Sequence, residues 1–454
     1  MIRHIYLGLM LGIGAFCQAA DVSAPAASAT LLQNPLSLQD CLEIGLRQNP
    51  SILKSKSGLE AAHGIVLQTK SIVFPKVRGA GNYQLSESTA TETFPFPGAP
   101  VPNDHQWSGN VRLVQSIYEG GRISSSLRTA RLTREQALLN HQTLVADSLL
   151  SIRVAYEDAL LAAEQIIVQE ASVKLLEEEL ATTRRRLAAG TTPQYNVLRA
   201  EVEAANARPR LIRARQASRT ARNNLIQLLG FNFPANQGEE PPLKLKGELK
   251  AEPFEIELMQ AVNQALTQRS EISALQKNKA LRRESIEQAK AGYKPSVQGF
   301  AGYGSRSATF TSDLTRDISG WFVGAQLSWD IFDGQLTRGK VVEARALFDQ
   351  SDIELVDTAR KIELEVRTAH SSFVEAREVL ESQTKAIEWA TEVLRLANAR
   401  VEAGTATQLD VLSAQTALTE ARNIQIQALR DYSVARARLE RAVGNSLRID
   451  TSRH

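Results

Sequence analysis

Apolar residues change their period along the chain. From Leu38 to Leu46, and from Ile52 to about Val73, they recur at helical spacing, with Asn49-Pro50 interrupting the run and Pro75 stopping it. Beyond Pro75 the period falls to two. Trp321, Val323, Ala325, Leu327, Trp329 and Ile331 share one face of a strand, while Phe322, Gly324, Gln326, Ser328 and Asp330 share the other. Trp107 to Ile117 is the matching strand earlier in the chain, and the segments beginning at Val77 and Val297 precede the two as partners. Trp321 and Trp329 lie roughly 27 Å apart along a strand, or about 20 Å vertically once it tilts. That spacing predicts aromatic girdles of a membrane barrel, formed by Trp107, Trp321 and Trp329; a soluble half-buried sheet is the alternative.

After each strand the chain turns tightly, through Ile117-Tyr118-Glu119-Gly120-Gly121 and Ile331-Phe332-Asp333-Gly334, and a third pattern begins. Ile152, Ala155, Ala159, Ala162 and Ile166 start one four-three alternation, and Ile362, Val366, Ala369, Phe373 and Ala376 start another. The returning stretch Val411, Ala414, Leu418, Ala421 alternates large residues with alanine. A 3.5-residue period specifies knobs-into-holes packing, and the alanines let helices approach closely. A helix from about Arg122 to Leu187 is about 100 Å long, more than a globular core requires.

The whole succession occurs twice. Arg186-Leu187-Ala188-Ala189-Gly190-Thr191 returns as Arg400-Val401-Glu402-Ala403-Gly404-Thr405, with Gly190 and Gly404 separated by 214 positions. Pro75 and Pro295 are 220 apart, so the difference of six falls between the strands, where loops absorb it. The expected organisation is a signal segment at 1–20, a first repeat at 21–230, a linker at 231–254, a second repeat at 255–444 and a tail at 445–454. Pro209, inside the first returning helix, is expected to kink or unwind it; its counterpart Asn423 is not.

Four strands cannot close a barrel, and lipid leaves no sheet edge unsatisfied, so other copies of the chain must complete it. Composition supports this elongated reading. Only 6% of the 454 residues are aromatic, and 53 Lys and Arg against 50 Asp and Glu leave a net charge of +3, which argues against a nucleic-acid partner. Met1-Ile2-Arg3-His4, the apolar run Ile5 to Phe16 and Ala19-Ala20 have the three parts of a secretory signal. Cys17 goes with that segment; Phe16 is too large for a lipid-attachment box. Cys41 then stands alone as a small buried hydrophobe, without a disulfide partner.

Local chemistry is sparse. Gly334 to Lys340 resembles a phosphate loop, but Val341 stands where magnesium needs a hydroxyl and the first copy lacks the pattern. The six histidines make no metal-ligand spacing, and no cofactor or catalytic residue is expected. Arg208, Arg210, Arg213, Arg215, Arg219 and Arg222 are read as partners for acidic runs such as Glu177-Glu178-Glu179 on the preceding helix. Asp410 lies near a helix start, where the dipole favours a carboxylate.

The order of signal, duplicated helix-strand-strand-hairpin unit, Ile-Tyr-Glu-Gly-Gly and Ile-Phe-Asp-Gly strand exits, and Ala-Gly-Thr tip followed by Asp410-Val411-Leu412 resembles the TolC family of bacterial outer-membrane efflux proteins. The resemblance covers residues 37 to 444. It implies a mixed α and β fold: a homotrimer with a twelve-strand transmembrane β-barrel in outer-membrane lipid, continuous with a periplasmic α-helical coiled-coil barrel. It also implies an exit duct docked by a periplasmic adaptor to an inner-membrane pump, of RND type for small-molecule efflux or ABC type for type I protein secretion. A soluble periplasmic coiled-coil scaffold is the reading of a different class. Within the family pattern, Asp410 matches an acidic ring at the periplasmic aperture. Ser413 falls where some members have a second acid, and Asn196 and Arg199 are the first-copy counterparts. The resemblance further implies that Ala189, Gly190, Thr191, Ala403, Gly404 and Thr405 meet the adaptor, although glycine there serves the turn in any case.

Overall fold

A computed structural model of the chain describes residues 34–87, 105–231, 243–308 and 317–445. The signal segment, Cys17, the Phe94 to Gly98 stretch and the tail lie outside them. The first copy comprises α1 (Leu38–Gln48), α2 (Pro50–Lys70), β1 (Lys76–Leu85), β2 (His105–Glu119), α3 (Arg122–Ala188) and α4 (Gln194–Leu229). The second comprises α5 (Leu258–Gln268), α6 (Ser270–Lys290), β3 (Ser296–Ser307), β4 (Asp317–Ser328), α7 (Leu336–Glu402) and α8 (Gln408–Val443). Helices α3 and α7 each contain 67 residues, and α4 and α8 each contain 36. The 67-residue helices are therefore about 100 Å long.

The strands form one antiparallel sheet in the order β1-β2-β3-β4, so β2 and β3 join the two copies edge to edge. β1 and β4 keep one open edge each. Tyr83 faces Trp107, Tyr303 faces Trp321, and Val77, Leu113, Ala301, Val323 and Leu327 continue the same apolar face. Near the strand exits a bulge between Ser116 and Tyr118 interrupts strict alternation. Ile117 and Tyr118 consequently both stand on the apolar side, 63% and 44% exposed. The strand expected to run through Ile331 ends at Ser328, because β3 begins opposite it, at Ser296.

Below the sheet, α4, α3, α8 and α7 lie side by side as a wall; nearer the sheet, α2 and α6 take the places of α4 and α8. The substitution is made end to end. Gly230, which ends α4 with φ 81°, rests on the carbonyl of Gln48, and Asn49 donates its Nδ2 to Leu228 O at 2.7 Å while its Oδ1 caps Ser51 and Ile52. In the second copy Gly444 ends α8 against Arg269. Pro209 does not interrupt α4, which continues unbroken to Leu229: adjacent turns and packing against α3 hold the helix across the single missing N–H.

One apolar cluster joins Cys41, Ile152, Tyr156, Leu225 and Leu229 to Leu36 and Leu243; its counterpart joins Ala261, Val262, Ile362, Val366, Phe373, Tyr432 and Leu439. Both lie on one side of the wall, where α1, α5 and the inter-copy segment cover it. Leu36 N donates to Lys244 O, Tyr156 Oη to Lys246 O and Tyr432 Oη to Glu252 O, tying that segment along the helices. Burial raises the Cys41 thiol to about 12, so it is a packing residue without nucleophilic character at neutral pH.

Candidate functional site

Three regions carry the residues singled out in the sequence: the hairpin tips, the helix junctions and the sheet. Each tip is a helix C-cap built by its glycine. Gly190 and Gly404 adopt φ 75° and 72°. Gly190 N donates to Leu187 O and Thr191 N to Arg186 O; Gly404 N donates to Val401 O and Thr405 N to Arg400 O. These paired bonds terminate α3 and α7 and leave Ala189, Gly190, Thr191, Ala403, Gly404 and Thr405 exposed at one end of the molecule. A Cβ at either glycine meets no atom within 4 Å, so the left-handed backbone alone selects glycine there.

Asp410 is the third residue of α8. Its Oδ2 accepts from Thr407 N at 2.7 Å and Thr407 Oγ1 at 2.8 Å, closing a capping box. These bonds, backbone first and hydroxyl second, hold its carboxyl below the ordinary range. Ser413, one turn on, is exposed and donates its Oγ to Asp410 O. At the corresponding place in α4 the uncharged Asn196 donates Nδ2 to Thr192 Oγ1 at 2.9 Å. Arg199 is half-buried and has no ion pair among the described residues of its own protomer. The fold thus brings the four to one end of the wall, but α3 separates Asn196 and Arg199 on α4 from Asp410 and Ser413 on α8. Gln408 Nε2 bonds Thr183 Oγ1 at 3.1 Å and links the start of α8 to α3 beside the tip.

The interhelical pairing expected of the arginine-rich stretch is present at Arg208 with Glu177 and at Arg215 with Glu170, 3.0 and 2.8 Å. A denser network sits at the second helix junction. Arg269 bonds Glu271 and Glu365 at 2.7 and 2.6 Å, and Arg441 bonds Glu271 and Asp147, both at 2.6 Å. Both guanidiniums are buried. Burial pushes the Glu271 carboxyl up, but hydrogen bonds from Arg269 and Arg441 outweigh it and bring it down to about 2. The network connects α3 of the first copy to α6, α7 and α8 of the second. No sequence spacing announces it, since its members lie up to 294 positions apart.

In the sheet, Trp321 is 78% exposed on the apolar face, and Trp107 lies on the same face opposite Tyr83. Trp329, just beyond β4, is 53% exposed and donates its indole N–H to Tyr293 O at 3.2 Å. Exposed Phe74, Tyr118, Tyr293 and Phe332 surround that lower level, whereas Tyr83, Trp107, Tyr303 and Trp321 mark the upper one. The opposite face carries Lys76, Arg78, Arg112 and Arg306 together with Phe300 and Phe322.

Comparison with known proteins agrees with this architecture. The family model described as outer membrane efflux protein matches residues 42–231 and again 261–445. Outer membrane protein TolC of Escherichia coli (strain K12) is 23% identical over 413 residues, covering 87% of this chain and 80% of that protein. Alkaline protease secretion protein AprF of Pseudomonas aeruginosa is 22% identical over 414 residues, with 89% and 83% covered. The crystal structure of the Campylobacter jejuni CmeC outer membrane channel superposes with a TM-score of 0.79 at 13% identity, covering 90% of this chain and 86% of that one. The twofold family match over the two structural copies makes the chain a member of the outer membrane efflux protein family, one protomer of a trimeric outer-membrane channel that continues as a helical tunnel into the periplasm.

Proposed function

We propose that the trimer is the passive exit duct of an RND-type tripartite pump and conducts small molecules delivered through a periplasmic adaptor. The observation that carries this reading is the union, in one chain, of a sheet with both outer edges open and two hairpins whose outgoing helices are about 100 Å long. Open edges in lipid require neighbouring copies, and three copies of four helices enclose a tube. Energy for transport resides in the partner, and the chain supplies the path. Trp107, Trp321 and Trp329 serve as interfacial anchors. The Ala-Gly-Thr tips receive the adaptor. Three Asp410 carboxylates narrow the entrance and favour cations there: the capping bonds occupy Oδ2 and leave Oδ1 to face the aperture. Arg199 pairs with a carboxylate of a neighbouring protomer when the entrance is shut.

The likeness to a protease secretion protein supports a second reading, type I protein export through an ABC-driven system. Site-specific crosslinking separates them. A Thr405→Cys, Cys41→Ser chain is treated in cells with a short bifunctional reagent, and captured proteins are identified by mass. The expected capture is an adaptor of a proton-driven pump. An adaptor of an ABC exporter moves the function to protein secretion, and no adaptor captured from Thr405→Cys in a properly assembled trimer overturns the duct reading.

A further inference from the structure

The inner face of the sheet carries a charge pattern that the duct reading leaves unexplained. Strand register assigns its members: Arg78 stands opposite Arg112, Arg112 opposite Gly302, and Gly302 opposite Phe322, while Tyr83, Trp107, Tyr303 and Trp321 take the other face. Lys76 and Arg306 belong to this inner face through their pairing with Val114 and Ser108. All formal charges of the four strands on that face are therefore positive. The strands' two carboxylates lie elsewhere: Asp317 is on the apolar side and accepts from Ser305 Oγ at 2.7 Å, and Glu119, at the strand exit, is buried and paired with Arg122. Asp330 lies past the end of β4.

Like charges directly opposite in an antiparallel pair destabilise it. The Arg78–Arg112 pair thus works against the sheet, and neither residue has a carboxylate partner among the described residues. Arg112 is nonetheless held in place. Its guanidinium lies 4.2 Å from the centroid of the Phe300 ring, and its Nε is buried without a hydrogen-bond acceptor. The ring itself is seated by glycine. A Cβ at Gly324 would come within 2.7 Å of Phe300, and one at Gly302 within 2.5 Å of Phe322, so each phenyl occupies the space that a side chain on the facing strand would fill. In depth, Arg112 falls five residues from Trp107 and six from Tyr118, about 16 to 20 Å from the aromatic level at either end.

We infer that this mid-barrel belt of guanidinium backed by phenyl rings is a selectivity element, and that the cargo leaving the channel consists of small organic anions carrying carboxylate, sulfonate or phosphate groups. The inference rests on the duct reading. Threefold repetition places six guanidiniums from Arg78 and Arg112 at one level of the barrel, with Lys76 and Arg306 on either side. Fixed positive charge on a water-filled wall raises the local concentration of anions and lowers that of cations. Planar guanidinium forks match carboxylate and phosphate oxygens, and the phenyl faces accept the flat portion of an aromatic anion.

Purified trimers in planar bilayers under a tenfold KCl gradient test this. An Asp410→Gln background removes the entrance carboxylates, so that the reversal potential reports the barrel. In that background the expected pore prefers chloride, and Arg78→Gln, Arg112→Gln and Arg306→Gln together shift the permeability ratio toward potassium several-fold. In vesicles the same three changes slow efflux of the aromatic trisulfonate pyranine relative to an aromatic cation of similar size. If Arg112→Gln prevents assembly, the Arg78→Gln, Arg306→Gln pair carries the test with a smaller shift of the same sign. A conducting pore whose reversal potential is unmoved by the substitutions, or one that prefers potassium throughout, overturns this inference alone. Well-formed trimers that conduct nothing overturn the duct reading, and the inference with it.

Discussion

Asp410 caps its helix, and one substitution separates that role from the proposed one at the entrance. Its carboxylate closes the capping box with Thr407, a task that glutamine at the same helix position performs without charge. Asp410→Gln is therefore expected to leave the melting of the helical circular-dichroism signal unchanged while raising single-channel conductance and reducing cation preference at the entrance. Asp410→Ala, lacking the capping acceptor, should change both. Equal conductance for wild type and the glutamine variant would reduce Asp410 to a helix cap. The sequence supplied the position through its place after the tip. It did not reveal that the side chain turns back on its own helix start, because that depends on the backbone orientation of Thr407. Cys41 was legible as a buried hydrophobe from the apolar pattern of α1 alone, and the structure leaves it fully enclosed. At residue scale, then, burial was readable from periodicity, while hydrogen-bond direction was not.

Among the elements, the joints between stacked helices differ more than the helices they join. At the first joint Gly230 combines φ 81° with a carbonyl of Gln48 lying where its Cβ would go. At the second, Gly444 has φ 95° but its nearest neighbours stand at 3.4 Å, ordinary contact distance. Left-handed backbone costs an alanine about 1 kcal/mol at either place; the steric conflict adds to it only at the first. Gly230→Ala is expected to lower the apparent melting temperature of the trimer in detergent well below that of Gly444→Ala. Comparable losses would show that the joint relaxes. The breaks at Asn49-Pro50 and Arg269-Ser270 were plain in the sequence, as were the lengths of the hairpins. That the breaks serve as seats for the ends of α4 and α8 was not, since the stacking depends on contacts 179 positions apart, such as Asn49 with Leu228. Pro209 shows the reverse: it does not unwind α4, which stays helical through it while packed against α3.

For the whole molecule, the two copies are held together by the β2–β3 pairing and by the charged junction of Arg269, Glu271, Arg441, Asp147 and Glu365. The Glu271 carboxyl falls from its ordinary 4.5 to about 2 in the folded chain. A depressed carboxyl contributes stability fully above its unfolded value and loses it as pH falls through the folded one. The trimer should therefore lose stability progressively between pH 4.5 and 2, and Glu271→Gln should flatten that dependence while costing roughly 3 kcal/mol at neutral pH, because both guanidiniums lose a buried partner. Melting profiles of the two chains across that interval, followed by circular dichroism, give the comparison; parallel profiles would remove Glu271 from the account. The first junction, with uncharged Asn49, offers no such titration.

The equal lengths of the two hairpins constrain how the chain is able to vary. Each long helix has 67 residues and each return helix 36 in both copies, while the strand-bearing stretches from Pro75 to Arg122 and from Pro295 to Leu336 differ by six. In a ring of six alternating hairpins, a turn added to one kind and not the other makes a crenellated rim, which a flat-ended partner meets at only three points. Heptad packing keeps its seam unchanged only through whole repeats, since three or four extra residues locally overwind or unwind it. The reach of the tunnel is thus a quantised dimension, set jointly by two distant stretches of one gene. A viable lengthening enters both stretches together, seven residues going down and seven coming back in each. The loops at the far end carry no such obligation, and there the copies have drifted apart.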